Sequence, residues 1–180
     1  MGGATLTMSF PVTFKITDDS GFLAIVNADR FDSFIDEQWE LPQLLNRFIE
    51  EMNKRHLIIW GTGSENEWTV EFLDRSTNKN VFREFTKTIT VTNGQLFLTN
   101  YEDLTMAAQF SDEKIPAKHN AELFIELANG KYEITVRQLS DPENYEDENR
   151  DPDFEIVIQK LSIERSNLYR ACFGSKSKIL

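Results

Sequence analysis

Two Asn-Gly pairs, Asn93-Gly94 and Asn129-Gly130, each interrupt a segment in which apolar residues alternate with polar ones on both sides. Asn-Gly is the preferred pair for a two-residue type I′ turn, because both central residues then take positive φ. In TKTITVTNGQLFLTN, such a turn pairs Val91 with Leu96 and Ile89 with Leu98. Those four share one face, and Thr88, Thr90, Thr92, Gln95, Phe97 and Thr99 share the other. In AELFIELANGKYEITVRQ, it pairs Leu127 with Tyr132, Ile125 with Ile134 and Leu123 with Val136. A slip of one residue would turn each apolar set to solvent, so alternation and turn chemistry support the same register. Two β-hairpins are predicted.

The rest of the chain continues the β pattern. Phe10, Val12, Phe14 and Ile16 alternate with polar residues, and DDSG at 18–21 turns the chain into FLAIVN. LIIW at 57–60 is a continuous apolar run, which suits a strand covered on both faces. GTGSENE breaks it, and Trp68, Val70 and Phe72 resume the alternation. Strands are also expected at 81–86, 104–110 and 154–161. Helical spacing is confined to one region, where Pro42 stands near a helix start and Leu44, Leu45, Phe48, Ile49 and Met52 follow. The expected fold is mainly β, a β-sandwich of about 8–10 short strands with one helical insertion between early strands. The 180 residues are expected to form one domain, with a core sandwich at about 8–161, an acidic loop at 141–153 and a basic C-terminal tail at 162–180.

Charge narrows the function classes. The formal net charge of −11 disfavours direct nucleic-acid binding, which draws its affinity from Lys and Arg, and favours a basic protein partner. The stretch 141–155 holds eight carboxylates against Arg150, whereas 160–180 holds five bases against Glu164. One cysteine, Cys172, leaves no internal disulfide framework, as in a reducing compartment. The N-terminus lacks a basic region and a long apolar run, and no segment has the roughly eighteen apolar residues of a spanning helix. A cytoplasmic protein without a membrane span is expected.

Catalytic constellations are thin. His56 and His119 lie far in sequence from Cys172, and together they fall short of a zinc ligand set. His56 follows Lys54-Arg55 at the predicted helix end, where a cation meets the helix dipole favourably. GTGSEN lacks the third glycine of a dinucleotide loop and the Gly-Lys-Ser/Thr of a phosphate loop. The acidic stretch lacks the glycine that a calcium-binding loop needs for its sharp turn. No catalytic residue, cofactor or metal is expected, and the chain is not read as an enzyme.

Binding residues are more readable. In DPENYEDENRDPDF, Glu143, Glu146, Asp147, Glu148, Asp151 and Asp153 surround Tyr145, an aromatic anchor beside steering charge. Pro142 and Pro152, repeated Asn and Asp, and the absence of apolar periodicity predict an exposed connection between strands. In the second hairpin, Glu126 is expected opposite Glu133, a like-charge pair, and Glu122 opposite Arg137. Phe97 and Phe124 fall on outer faces, where they either meet a partner or are covered by a second layer.

The order MSFPVTFKITDDSG, helical insertion, LIIWGTGSENEWTVEF, KTITVTNGQLFLTN and AELFIELANGKYEITVRQL resembles bacterial competence protein J and related small β-sandwich proteins. The resemblance covers residues 8–139, and the acidic stretch and basic tail lie beyond it. It implies an intracellular inhibitor that binds and silences a partner nuclease, as an immunity protein neutralises its toxin. An acidic sandwich could occupy the basic surface where a nuclease holds nucleic acid. The expected function is therefore a non-catalytic, immunity-like or nuclease-inhibitor-like protein that neutralises a basic partner, a nuclease or toxin. The second reading is a sugar- or lipid-binding sandwich with an aromatic cleft near Trp60 and Trp68.

Overall fold

The computed structural model describes residues 8–144 and 151–162. Among them are nine strands: β1 (Val12–Asp18), β2 (Phe22–Val26), β3 (Leu57–Gly61), β4 (Asn66–Leu73), β5 (Arg83–Val91), β6 (Gln95–Asn100), β7 (Phe124–Glu126), β8 (Gly130–Gln138) and β9 (Phe154–Lys160). Helix α1 (Leu41–Asn53) lies between β2 and β3, and helix α2 (Tyr101–Gln109) follows β6. The strands form a five-stranded sheet in the order β1-β4-β9-β8-β5 and a four-stranded sheet in the order β3-β2-β6-β7. The fold is mainly β, as the alternation predicts.

The sheets face each other across one core. Ile16, Trp68, Val70, Phe72, Ile89, Tyr132, Ile134, Phe154 and Ile156 come from the larger sheet; Leu23, Ile25, Ile58, Trp60, Leu96, Leu98 and Ile125 come from the smaller. A second apolar layer lies on the far side of the smaller sheet, where Leu44, Phe48, Leu104 and Ala108 of the helices cover Ala24, Val26 and Leu57. This explains the unbroken run at 57–60. Ile58 and Trp60 enter the inter-sheet core, while Leu57 and Ile59 meet the helix layer.

Neither predicted hairpin forms. Strand β5 pairs with β8, from Arg83 opposite Gln138 to Val91 opposite Gly130, and β6 pairs with β2 and β7. Each Asn-Gly segment carries the chain from one sheet to the other, as an arch. Positive φ confirms the difference, since Gly94 and Gly130 have it and neither asparagine does. Glu126 consequently faces Gln95, while Glu133 lies between Thr88 and Gln159, so the expected Glu126–Glu133 pair does not exist. Arg137 faces Glu84 and Glu155 rather than Glu122.

Four arches complete the sandwich. The crossings at 19–21 and 62–65 stack at one end, because β1 lies beside β4 and β2 beside β3. The two Asn-Gly crossings stack at the other end, because β5 lies beside β8 and β6 beside β7. Asn129 ties the latter pair, accepting from Gly94 N at 2.8 Å and donating to Thr92 O at 3.1 Å.

The expected strand at 104–110 is helical. Asn100 caps α2 by accepting from Asp103 N at 2.9 Å, and Glu102 and Asp103 occupy the first turn, where the helix dipole favours acids. The described residues therefore hold two α-helices where the sequence pattern indicated one. No helix among the described residues is long and apolar enough to cross a membrane.

Candidate functional site

The acidic stretch joins β8 to β9 and leaves the sandwich at the end where the 19–21 and 62–65 arches cross. Asp18 organises this end. It continues the inward alternation of Val12, Phe14 and Ile16, so its carboxylate is fully buried. Its Oδ1 accepts from Ser20, Gly21 and Phe22 backbone N–H groups at 3.1, 2.7 and 3.0 Å. Its Oδ2 accepts from Thr62 Oγ1 at 2.8 Å and Trp68 Nε1 at 3.1 Å. One side chain thus fixes both arches, which also share the bond from Thr62 N to Gly21 O at 2.8 Å.

A polar relay continues from Thr62. Gln138 donates to Thr62 O at 2.7 Å and accepts from Arg83 Nε at 2.6 Å, and Arg83 Nη2 donates to Gly61 O at 2.9 Å. The Arg83 guanidinium lies 5.8 Å from the ring centre of Phe82. At this end, Phe82 and Phe22 are 48% and 44% exposed. Phe22 leans on Tyr101, with ring centres 5.8 Å apart. Burial, and then the neighbouring Glu102 carboxylate, hold the Tyr101 phenol above its ordinary pKa.

The base of the acidic stretch is packed. Pro142 and Pro152 are buried, and Pro142 presses on Gly63, where an added Cβ would meet its ring at 2.5 Å. Asp153 corrects the reading of this stretch as wholly exposed. It is buried; its Oδ2 accepts from Thr69 N at 2.8 Å, and its own N–H donates to Thr69 O at 2.9 Å. Glu155, inside β9, is fully buried against Arg137 and accepts from Thr77 Oγ1 at 2.6 Å. The loop between β4 and β5 covers this pair, and Arg137 also donates to Lys79 O at 3.2 Å. Both carboxylates are accounted for by the fold, since a buried charge needs partners.

The remaining sequence-predicted residues scatter. Glu143 and Asp151 are exposed at the arch end, together with Asp19 and Glu65. Tyr145, Glu146, Asp147 and Glu148 lie outside the described residues, as does most of the basic tail. Glu126 is at the opposite end, lining a concavity of 720 Å³ with Met8, Phe10 and Tyr132. Glu133 is on the outer face of the larger sheet. Phe124 is half-buried and leans on Phe97 in a tilted ring pair, with centres 5.7 Å apart, at the edge of the smaller sheet. Phe97 packs into the helix-covered layer, so the pair is an element of the second layer.

The histidines hold neighbouring acids. His56 Nδ1 lies 2.9 Å from the buried Glu51, and His119 Nε2 lies 3.0 Å from the buried Asp103. No group of three or more metal-ligating side chains occurs among the described residues. Of the two tryptophans expected to line a cleft, Trp68 is enclosed and bonded to Asp18. Trp60 does line one, of 220 Å³, with Arg83, Phe85, Gln138 and Phe154.

No family model matches the chain, and no curated protein matches it. Two solved structures align with it over 86% of this chain and all of theirs. The protein of crocagin biosynthetic gene J is 12% identical with a TM-score of 0.56. ComJ from Bacillus subtilis, described as an inhibitor of the DNA-degrading activity of NucA, is 14% identical with a TM-score of 0.49. ComJ, the protein that the sequence resembles, thus stands among the structural neighbours, and the likeness of fold rests on the crocagin protein.

Proposed function

We propose that this chain is a non-catalytic, inhibitor-like protein that binds a basic partner protein through the arch end of the sandwich. The observation that carries this reading is the placement of Phe22 and Phe82, two exposed aromatics at the hydrogen-bonded arch end, beside the root of the acidic stretch. Aromatic side chains held by their surroundings are efficient anchors, because little conformational entropy remains to be lost. The acids at 141–151, with Asp19 and Glu65, add a negative field that would speed encounter with a basic surface. The sequence resemblance makes a nuclease or a toxin the first partner to test, with a cytoplasmic site of action.

The test begins with the products of neighbouring genes, purified and assayed for nuclease activity with and without this protein. Once a partner is in hand, stopped-flow association is measured across a salt series for wild type and for Glu146→Gln/Asp147→Asn/Glu148→Gln. The triple variant should associate several-fold more slowly at low salt and converge with wild type at high salt. Phe22→Ala and Phe82→Ala should act instead on dissociation, each speeding it about tenfold or more. Equal association rates at low salt together with unchanged dissociation would reject this face as the docking surface.

A further inference from the structure

Strand β5 closes one side of the larger sheet and, at nine residues, is the longest edge strand of the sandwich; β1 has seven, β3 five and β7 three. Thr90 shows which of its residues turn their main chain outward. The Thr90 N–H donates to Arg55 O at 2.9 Å and its C=O accepts from Asn27 Nδ2 at 2.8 Å, so both groups point away from β8. The β5–β8 register runs unbroken from Arg83 to Val91, so the main-chain groups of Glu84, Thr86 and Thr88 point the same way. No hydrogen bond to those groups occurs among the described residues. Concavities of 340 and 220 Å³ open beside them, one reaching Lys87 and Thr88 and the other Glu84 and Phe85. The described residues leave this stretch of edge uncovered.

An open edge is a template for another strand, and a second copy brings the same strand to it about a two-fold axis. Such an axis sets one residue of β5 opposite itself, and the side chains decide which. On Lys87 it would oppose two ammonium groups, and on Glu84 two carboxylates. On Phe85 it would set Lys87 against Arg83, and on Thr88 it would need the Thr90 groups already taken. On Thr86 no like charges meet. Glu84 then lies opposite Thr88, and Phe85 opposite Lys87, with Glu84, Thr86 and Thr88 exchanging main-chain bonds across the axis. Phe85 is half-buried on the inner face, its ring centre 6.3 Å from that of Trp60, and the exposed Lys87 shares the parity of that face. The lysine stem of each copy would cover the other's Phe85 ring, with the ammonium attracted to it. An inward lysine ordinarily guards an edge against foreign apolar strands; in this register alone it is answered by an aromatic. The strand also carries two bases against one acid in a chain of net charge −11, which lessens the repulsion between copies where they would meet. We propose that two copies of this chain join along β5, antiparallel with Thr86 on the axis, so that their five-stranded sheets become one continuous sheet.

Sedimentation equilibrium of the full chain tests this. The average mass should climb from that of one copy toward twice that value between about 10 µM and about 1 mM protein, as suits a small contact made largely of main-chain bonds. Thr86→Lys places two ammonium groups face to face on the axis, and Thr86 is exposed, so the variant should fold and keep the mass of one copy throughout. Should it fail to fold, amide hydrogen exchange in the wild type decides instead. The Glu84, Thr86 and Thr88 amides should exchange several-fold more slowly at the high concentration, while those of Thr13 and Lys15 on the edge strand β1 keep their rate. A mass of one copy at every concentration would overturn the proposal and leave the edge to a foreign strand. A dimer that survives Thr86→Lys would overturn it too, as would one in which the three β5 amides exchange as fast as in dilute protein.

Discussion

At the scale of single residues, the arch end depends on one carboxylate. Asp18→Asn would keep an oxygen for the three backbone donors but would turn an amide N–H₂ toward Thr62 and Trp68. The threonine hydroxyl can reverse its role; the indole N–H cannot. The variant should lose about 2–3 kcal/mol, the cost of a buried donor left without its charged acceptor. Urea denaturation would read this, and an unchanged midpoint would mean that the carboxylate does not hold the arches. Gly63→Ala acts on the neighbouring arch, where φ is +94° and the new Cβ would strike the Pro142 ring. A loss of about 1–3 kcal/mol is expected in the same measurement. Asp18 was legible in the sequence, since its parity places it on the core face of an alternating strand. Reading 18–21 only as a turn hid it. The burial of Glu155 was not legible, because the loop that covers it comes from far away in the chain and carries no periodic signal.

At the scale of elements, alternation reveals which residues face the core but not which sheet a strand joins. Ile89, Val91, Leu96 and Leu98 are inward in a hairpin and equally inward in an arch, so both solutions satisfy the same pattern. Asparagine distinguishes them. A type I′ turn needs positive φ at both central residues, which would make Asn93 and Asn129 equivalent. In the stacked arches Asn93 is exposed, whereas Asn129 bonds across to Gly94 and Thr92. Asn129→Ala should therefore cost about 1 kcal/mol or more, and Asn93→Ala less than about 0.5 kcal/mol. Equal thermal shifts for the two would restore the hairpin. Gly130→Val should cost about 1 kcal/mol or more under either arrangement, because its φ is +148° and the Lys160 side chain lies 3.1 Å from the added Cβ. The second helix was missed for a related reason. Leu104 and its neighbours form a run too short to separate the two periods, and the deciding signal was the Asn100 cap followed by two acids.

At the scale of the whole molecule, the pairing of strands runs against their order in the chain. Neither β1 and β4 nor β5 and β8 are consecutive, and β4 and β9 pair in parallel across nearly half of the sequence. A topology so poor in local contacts should refold on the millisecond-to-second scale, because long loops must close before any pairing repays them. Stopped-flow tryptophan fluorescence would check this, and refolding in microseconds would contradict it. The position of β9 carries the matter beyond the test tube. It is the last of the described strands yet the middle one of its sheet, between β4 and β8. Until β9 is made, the larger sheet can form only as two halves, β1-β4 and β8-β5, with unpaired edges toward the place that β9 will take. At ordinary elongation rates, roughly five to fifteen seconds separate the emergence of β4 from that of β9. Throughout that interval the nascent chain exposes the strand edges most prone to pairing with other chains, so its yield in a cell should depend on chaperone capacity during translation.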